Sequence, residues 1–194
     1  MTLLIPAVVG YSMGSVSAGV IVGCFLRGLD IRDWGSGNTG GTNAARVLGL
    51  GPGLAVALLD IGKGALATVA GGLISGWGAG AMVGGAAAVV GHIIPAWFGF
   101  RGGKGLAVFF GACVILAPRV IIPAGVGWLL AFAALRSAAG ASAVAAACLP
   151  AIGWATGMSG MHILYLAAMG FPISLRHVPD CISPRRKREP RRLS

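Results

Sequence analysis

Charge is scarce in this chain, and negative charge is scarcest. Charged side chains make up 10% of the 194 residues, with five Asp and Glu against fifteen Lys and Arg, whereas an average soluble domain carries roughly 25%. That shortage excludes an ordinary water-soluble fold, because too few polar groups remain to cover its surface. With 56% hydrophobic residues and a mean hydropathy of +0.85, the composition is that of an integral membrane protein. Cysteine is sparse and scattered: Cys24, Cys113, Cys148 and Cys181 show neither CxxC nor Cys/His spacing, which excludes a disulfide framework and a metal site. No metal or cofactor is expected. A basic n-region is missing from Met1 to Leu26, so this stretch reads as a first transmembrane helix and not as a cleaved signal.

Apolar runs fall at about 3–26, 53–75, 80–98, 105–117, 120–135, 141–157 and 160–175, each near or somewhat short of the roughly 17–25 residues that a bilayer span needs. The expected fold is therefore all-α, a polytopic membrane helix bundle with about seven transmembrane helices. Of the fifteen Lys and Arg, all but Arg119 and Lys63 then fall on one side, which puts the N-terminus outside and the C-terminus in the cytoplasm. Small residues recur at spacing four, as in Gly10/Gly14, Gly19/Gly23 and Gly72/Gly76/Gly80/Gly84. These read as faces where helix backbones approach closely in lipid.

Residues 1–178 form one membrane domain. Residues 179–194, rich in Arg and Pro, read as a disordered basic tail that attracts anionic headgroups of membrane lipids. Nucleic-acid binding is not expected of a tail with no accompanying domain.

Two polar, glycine-rich stretches interrupt this pattern on the same face. The first runs from Gly35 to Gly49. Its glycines let amides turn toward an anion, Ser36, Asn38, Thr42 and Asn43 add hydroxyl and amide partners, and Arg46 adds a fork of donors. The second, Gly91 to Gly105, sets Gly102, Gly103 and Gly105 around Lys104 at the start of a helix, whose positive dipole end faces the same place. Two anion cradles on one face imply substrates with more than one phosphate. Gly35-x-Gly37-x-x-Gly40 spells a dinucleotide fingerprint but lacks a strand-helix-strand setting, and Gly103-Lys104 lacks the Ser or Thr of a P-loop. Asp60 and Lys63, three residues apart in the second span, share a helical face and either neutralise each other or reach a headgroup-level site. His162, at the opposite membrane face, reads as an interfacial histidine.

The first stretch, the second and Asp60-Ile61-Gly62-Lys63-Gly64, taken in span order over the whole chain, resemble the bacterial membrane glycerol-3-phosphate acyltransferases that use acyl phosphate as donor. The resemblance implies transfer of a fatty acyl group from acyl phosphate to the 1-hydroxyl of glycerol 3-phosphate, giving lysophosphatidic acid for phospholipid synthesis at the bacterial inner membrane. It assigns catalysis to Ser36, Arg46, Lys104 and His177. Substrate binding falls to Gly35, Gly37, Asn38, Thr42, Asn43, Lys63, His92, Arg101, Gly102, Gly103 and Gly105. The HxxxxD signature of coenzyme A-dependent acyltransferases is absent, since Trp97, Ala167 and Ile182 stand five residues beyond the three histidines.

A third family motif, usually His-Arg-Glu-Asn, is here His177-Val178-Pro179-Asp180, and an ionised Asp180 would repel glycerol phosphate. An alternative reading follows, a catalytically impaired homologue that binds phospholipid precursors or a partner enzyme. A small-molecule transporter fits less well, because the polar residues gather at one face with no broken helices meeting at the midplane.

Overall fold

The computed structural model describes residues 3–182, and within them the chain is helical. The first apolar run is two helices, not the single one expected: α1 (Leu4–Gly14) and α2 (Ala18–Arg27), broken at Ser15–Ser17. A break inside an apolar span frees backbone carbonyls that lipid cannot satisfy. Here the Lys63 ammonium donates to the Val16 carbonyl at 2.7 Å, so the second span supplies the missing partner.

The first glycine-rich stretch also contains a helix, α3 (Gly41–Leu48), followed at once by the 26-residue α4 (Leu50–Ser75), which carries Pro52 in its first turn where its missing N–H costs nothing. Gly76, at φ +96°, ends α4, and a π-turn (Gly76–Gly80) reverses the chain into α5 (Ala81–Ile93). The remaining helices are α6 (Leu106–Leu116), α7 (Ile121–Leu135), α8 (Ala138–Ala155), α9 (Gly160–Leu175) and the short α10 (Val178–Ile182).

Each of the seven apolar runs thus contains helix. The stretches Leu4–Arg27, Leu50–Phe98, Pro118–Leu135 and Ala138–Ala155 are long and apolar enough to cross a membrane, and the second holds two antiparallel helices. At about 1.5 Å per residue the eleven residues of α6 reach only about 16 Å, half of a bilayer core. Leucines at 58, 73, 129 and 130 and Trp154 are each more than half exposed on the outer surface, which suits lipid rather than water. Val178–Ile182 is helical, which corrects the expected start of a disordered tail at Pro179; the rest of that tail, 183–194, lies outside the described residues.

Glycines set the packing. A Cβ on Gly10 would collide with the Gly84 carbonyl, and one on Gly14 with that of Ala88, so α1 and α5 run parallel with backbones touching. Gly64 lies against Val108 and Gly111 against Ile61, so α4 and α6 touch backbone to backbone at the same closeness, and they run parallel because Ala57 stands beside Leu106 and Ala107 while Thr68 and Ala112 both meet Gly85. The spacing-four glycines are therefore packing sites, with one exception: Gly76 meets nothing within 4 Å and serves the turn. Gly10→Val should destabilise the bundle by about 1–3 kcal/mol, because backbone must move to admit the side chain. Gly62, a helical glycine with open space around it, is the control. In detergent, thermal unfolding should shift down for Gly10→Val and stay for Gly62→Ala; equal shifts would remove the α1–α5 contact as a determinant of stability.

These directions bring the C-terminal ends of α1, α5, α7 and α9 and the N-terminal ends of α6 and α8 to one face of the bundle. Both glycine-rich loops lie there.

Candidate active site

The first loop is folded around one side chain. Asn43, 1% exposed, donates through Nδ2 to the carbonyls of Ile31 (3.0 Å), Trp34 (3.2 Å) and Asn38 (2.8 Å) and accepts from the Ser36 amide through Oδ1 (2.7 Å). These bonds use all its N–H groups, so Asn43 holds the loop in shape. Gly35 (φ +57°) and Gly37 (φ +75°) take left-handed conformations beside it, and a Cβ on Gly35 would collide with Asn43 Oδ1. The loop therefore needs both an amide at 43 and no side chain at 35.

A second side chain ties the two loops together. Arg32 binds Asp30 (Nη2–Oδ2 2.6 Å, Nε–Oδ2 2.9 Å) and donates from Nη1 to the Phe98 (2.5 Å) and Arg101 (3.1 Å) carbonyls. Burial raises the pKa of Asp30, but the Arg32 hydrogen bonds and charge outweigh it and hold the carboxyl below its ordinary range.

In the second loop the glycines do a different job from the one expected. A Cβ on Gly102 would collide with the His92 carbonyl and one on Gly103 with the His92 ring, and the Gly103 N–H donates to the His92 carbonyl at 3.0 Å. Gly102 and Gly103 let the loop lie flat on the end of α5, and the Gly103 amide is not free for an anion. Gly105 (φ +93°) caps α6 and, with Leu106 and Ala107, turns that helix start into a cavity wall.

Beneath these loops sits a buried polar cluster. Lys63 Nζ lies 2.9 Å from Asp60 Oδ1 and 2.9 Å from His92 Nδ1, and Asp60 is 1% exposed. The expected neutralisation is present. Lys63 bonds to Asp60, His92 and Val16, stands outside the cavity lining and supports His92.

The cavity these elements enclose is about 610 Å³. Its wall includes Gly35, Ser36, Asn38, Thr42, Asn43, Arg46, His92, Lys104, Gly105 and His177, while Gly37, Lys63, Arg101, Gly102 and Gly103 stand outside it. Arg101 is exposed and contributes its carbonyl to Arg32. His177, 6% exposed, has Nδ1 2.8 Å from the Ile173 carbonyl, which assigns that nitrogen the proton and leaves Nε2 as an acceptor. Asp180 also lines the cavity, with Oδ2 2.5 Å from Lys104 Nζ.

Sequence reasoning missed part of this wall: Arg136, Ser137 and Ser142. Arg136 follows an apolar run and precedes a serine whose Oγ accepts from the Gly140 N–H (3.1 Å), a helix-start signal that marks the loop as structured.

A second, apolar groove of about 520 Å³ runs between α4, α6, α7 and α8, past Phe110, Ile121, Trp128 and Leu149. Thr42, Ala57, Leu106, Ala107 and Ser142 line both spaces, so the groove is continuous with the polar cavity.

Burial lowers the pKa of His177, the Ile173 bond partly opposes this, and the Lys104 charge adds to the lowering. Folding thus disfavours the imidazolium. The contribution to stability is whole above the ordinary value of 6.5 and is lost as pH falls below it. An NMR titration should place the imidazole of His177, assigned through its loss in His177→Gln, below 6.5; titration at or above that value would contradict the neutral assignment.

A helical bundle with an apolar exterior, a cation-bearing cavity at one end and an apolar groove opening from it defines a multi-pass membrane protein built for an amphiphile with an anionic head. The family model described as glycerol-3-phosphate acyltransferase matches residues 4–183, and the chain belongs to that family. A glycerol-3-phosphate acyltransferase of Synechococcus sp. (strain JA-2-3B'a(2-13)) is 39% identical over 171 residues, covering 88% of this chain and 84% of the relative. One from Gloeobacter violaceus is 44% identical over 144 residues, covering 72% and 70%. The crystal structure of PlsY (YgiH), an integral membrane glycerol 3-phosphate acyltransferase, in its glycerol 3-phosphate form superimposes with a TM-score of 0.84 at 30% identity, covering 97% of this chain and 96% of that one. Its lysophosphatidic acid form gives 0.81 at 29% identity, with 96% and 94% covered.

Proposed function

We propose that this protein moves a fatty acyl group from acyl phosphate to the 1-hydroxyl of glycerol 3-phosphate, releasing lysophosphatidic acid and inorganic phosphate. The observation that carries the reading is the continuity of polar cavity and apolar groove through Thr42, Ala57, Leu106, Ala107 and Ser142, which lets one molecule place a phosphate head and an acyl chain at once. Family membership supports it, as does the naming of the relatives for this activity.

Acyl phosphate is a mixed anhydride with a good leaving group, so the protein's task is to bring two phosphates together and stabilise charge on the carbonyl. Arg46 and Lys104 hold the phosphates, Ser36 and Asn38 orient the acceptor or the carbonyl, and the amide end of α6 faces the developing oxyanion. Neutral His177 offers Nε2 to the acceptor hydroxyl. The hydroxyl oxygen bonds to the acyl carbon, the bond from that carbon to the phosphate oxygen breaks, and the proton ends on the departing phosphate.

In this reading the chain crosses the bacterial inner membrane seven times (α1 with α2, then α4 through α9), with the N-terminus outside and the cavity at the cytoplasmic face. The basic residues gathered at the cavity end support this orientation, and lateral opening of the groove supports delivery of the chain from the bilayer. Purified protein given labelled glycerol 3-phosphate should form lysophosphatidic acid with acyl phosphate and none with acyl-coenzyme A. Bound acyl phosphate without turnover would favour the impaired homologue.

A further inference from the structure

The cavity carries three cations on its wall, Arg46, Lys104 and Arg136, and they are not equivalent. Lys104 already has an anion. Its Nζ lies 2.5 Å from Asp180 Oδ2, with 16% and 24% of the two side chains exposed. No hydrogen bond or ion pair to another described residue engages the guanidinium of Arg46 or of Arg136. The carboxylate arrives on α10, a five-residue helix that packs mainly on α8 and α9 and is anchored at its start by the buried His177. A carboxylate oxygen pair and a phosphate oxygen pair present similar acceptors to an ammonium, so a substrate phosphate that needs Lys104 meets that site occupied.

We propose that Asp180 is a built-in competitor for the Lys104 phosphate site: the carboxylate neutralises Lys104 in the free protein, and a phosphate-bearing substrate binds there by displacing it. This sets the affinity for phosphate, and it biases the empty cavity toward the substrate whose phosphate engages the uncommitted Arg46 first. The proposal rests on the acyltransferase reading only for the identity of the phosphate; the displacement itself concerns any phosphate in this cavity.

Inorganic phosphate is therefore the direct probe, measured by calorimetry on the full chain in detergent at constant ionic strength, with the acyl-transfer assay run separately. Asp180→Asn and Asp180→Ala should each bind inorganic phosphate about two- to fivefold more tightly, the gain expected from removing a partner of a partly exposed ion pair. The alanine variant is essential because it removes the carboxylate without adding an amide. In a Lys104→Met background the same Asp180 substitutions should give no gain. In the assay, both should lower KM for glycerol 3-phosphate more than they change kcat. Unchanged or weaker phosphate binding in both variants overturns the proposal, as does a gain confined to asparagine or one that persists without Lys104. Tighter phosphate binding with no acyl transfer in any variant would sink the acyltransferase reading and leave the displacement standing.

Discussion

Arg46→Ala should lower kcat/KM for acyl transfer by roughly 100- to 10,000-fold while the protein stays folded. Arg46 lies in the last turn of α3, lines the cavity, and makes no hydrogen bond or ion pair with another described residue. Its donors are thus held for something that is not protein. Two charge-assisted bonds from a planar guanidinium to one phosphate are worth about 1.5–3 kcal/mol each, and a single truncation removes both. Arg46→Lys should recover only part of the loss, since an ammonium keeps the charge but not the paired geometry. Because the side chain is exposed and unpaired within the protein, neither change should alter thermal unfolding; a folded Arg46→Ala protein at wild-type rate would remove the first loop from phosphate binding.

Asn43→Asp should be nearly as damaging, for a different reason. The substitution is isosteric, yet it replaces a donor facing the carbonyls of Ile31, Trp34 and Asn38 with an acceptor. Each buried polar group left without its partner costs about 1–3 kcal/mol, and an ionised acid among carbonyl oxygens costs more. The loop from Ile31 to Asn38 should lose its fold and carry Ser36 away from the cavity, lowering turnover by about 100-fold or more. Its far-ultraviolet circular dichroism should keep the bundle's helical signal, because Asn43 bonds to loop and not to the spans. Retained activity would show that the loop holds its shape by other means.

Much of the fold was legible because lipid imposes one rule, that apolar runs be helical, and each of the seven runs contains helix. The meeting of the two glycine-rich stretches on one face was legible from their parity in the chain, and so was the Asp60–Lys63 pair from its spacing. What the sequence hid depends on tertiary contact. The break between α1 and α2 follows no proline; it survives because Lys63, 47 residues away, caps Val16. Asn43 and Ser36 look alike in a polar run, yet one is saturated by its own loop and the other faces the cavity. Gly103 appears equally suited to cradling an anion or to lying on His92, and only the contact with α5 decides. Arg136 and Ser142 carry no local mark of the site because they reach it from the far side of the bundle.

The central claim is that one amphiphile spans both spaces, head among Arg46, Lys104 and His177 and chain along Phe110, Ile121 and Trp128. A crystal structure of this protein with lysophosphatidic acid tests it most directly. The expected result is a phosphate in the polar cavity with the acyl chain between α6 and α7. A chain lying against α1 and α5, or a head bound away from Arg46, would contradict it.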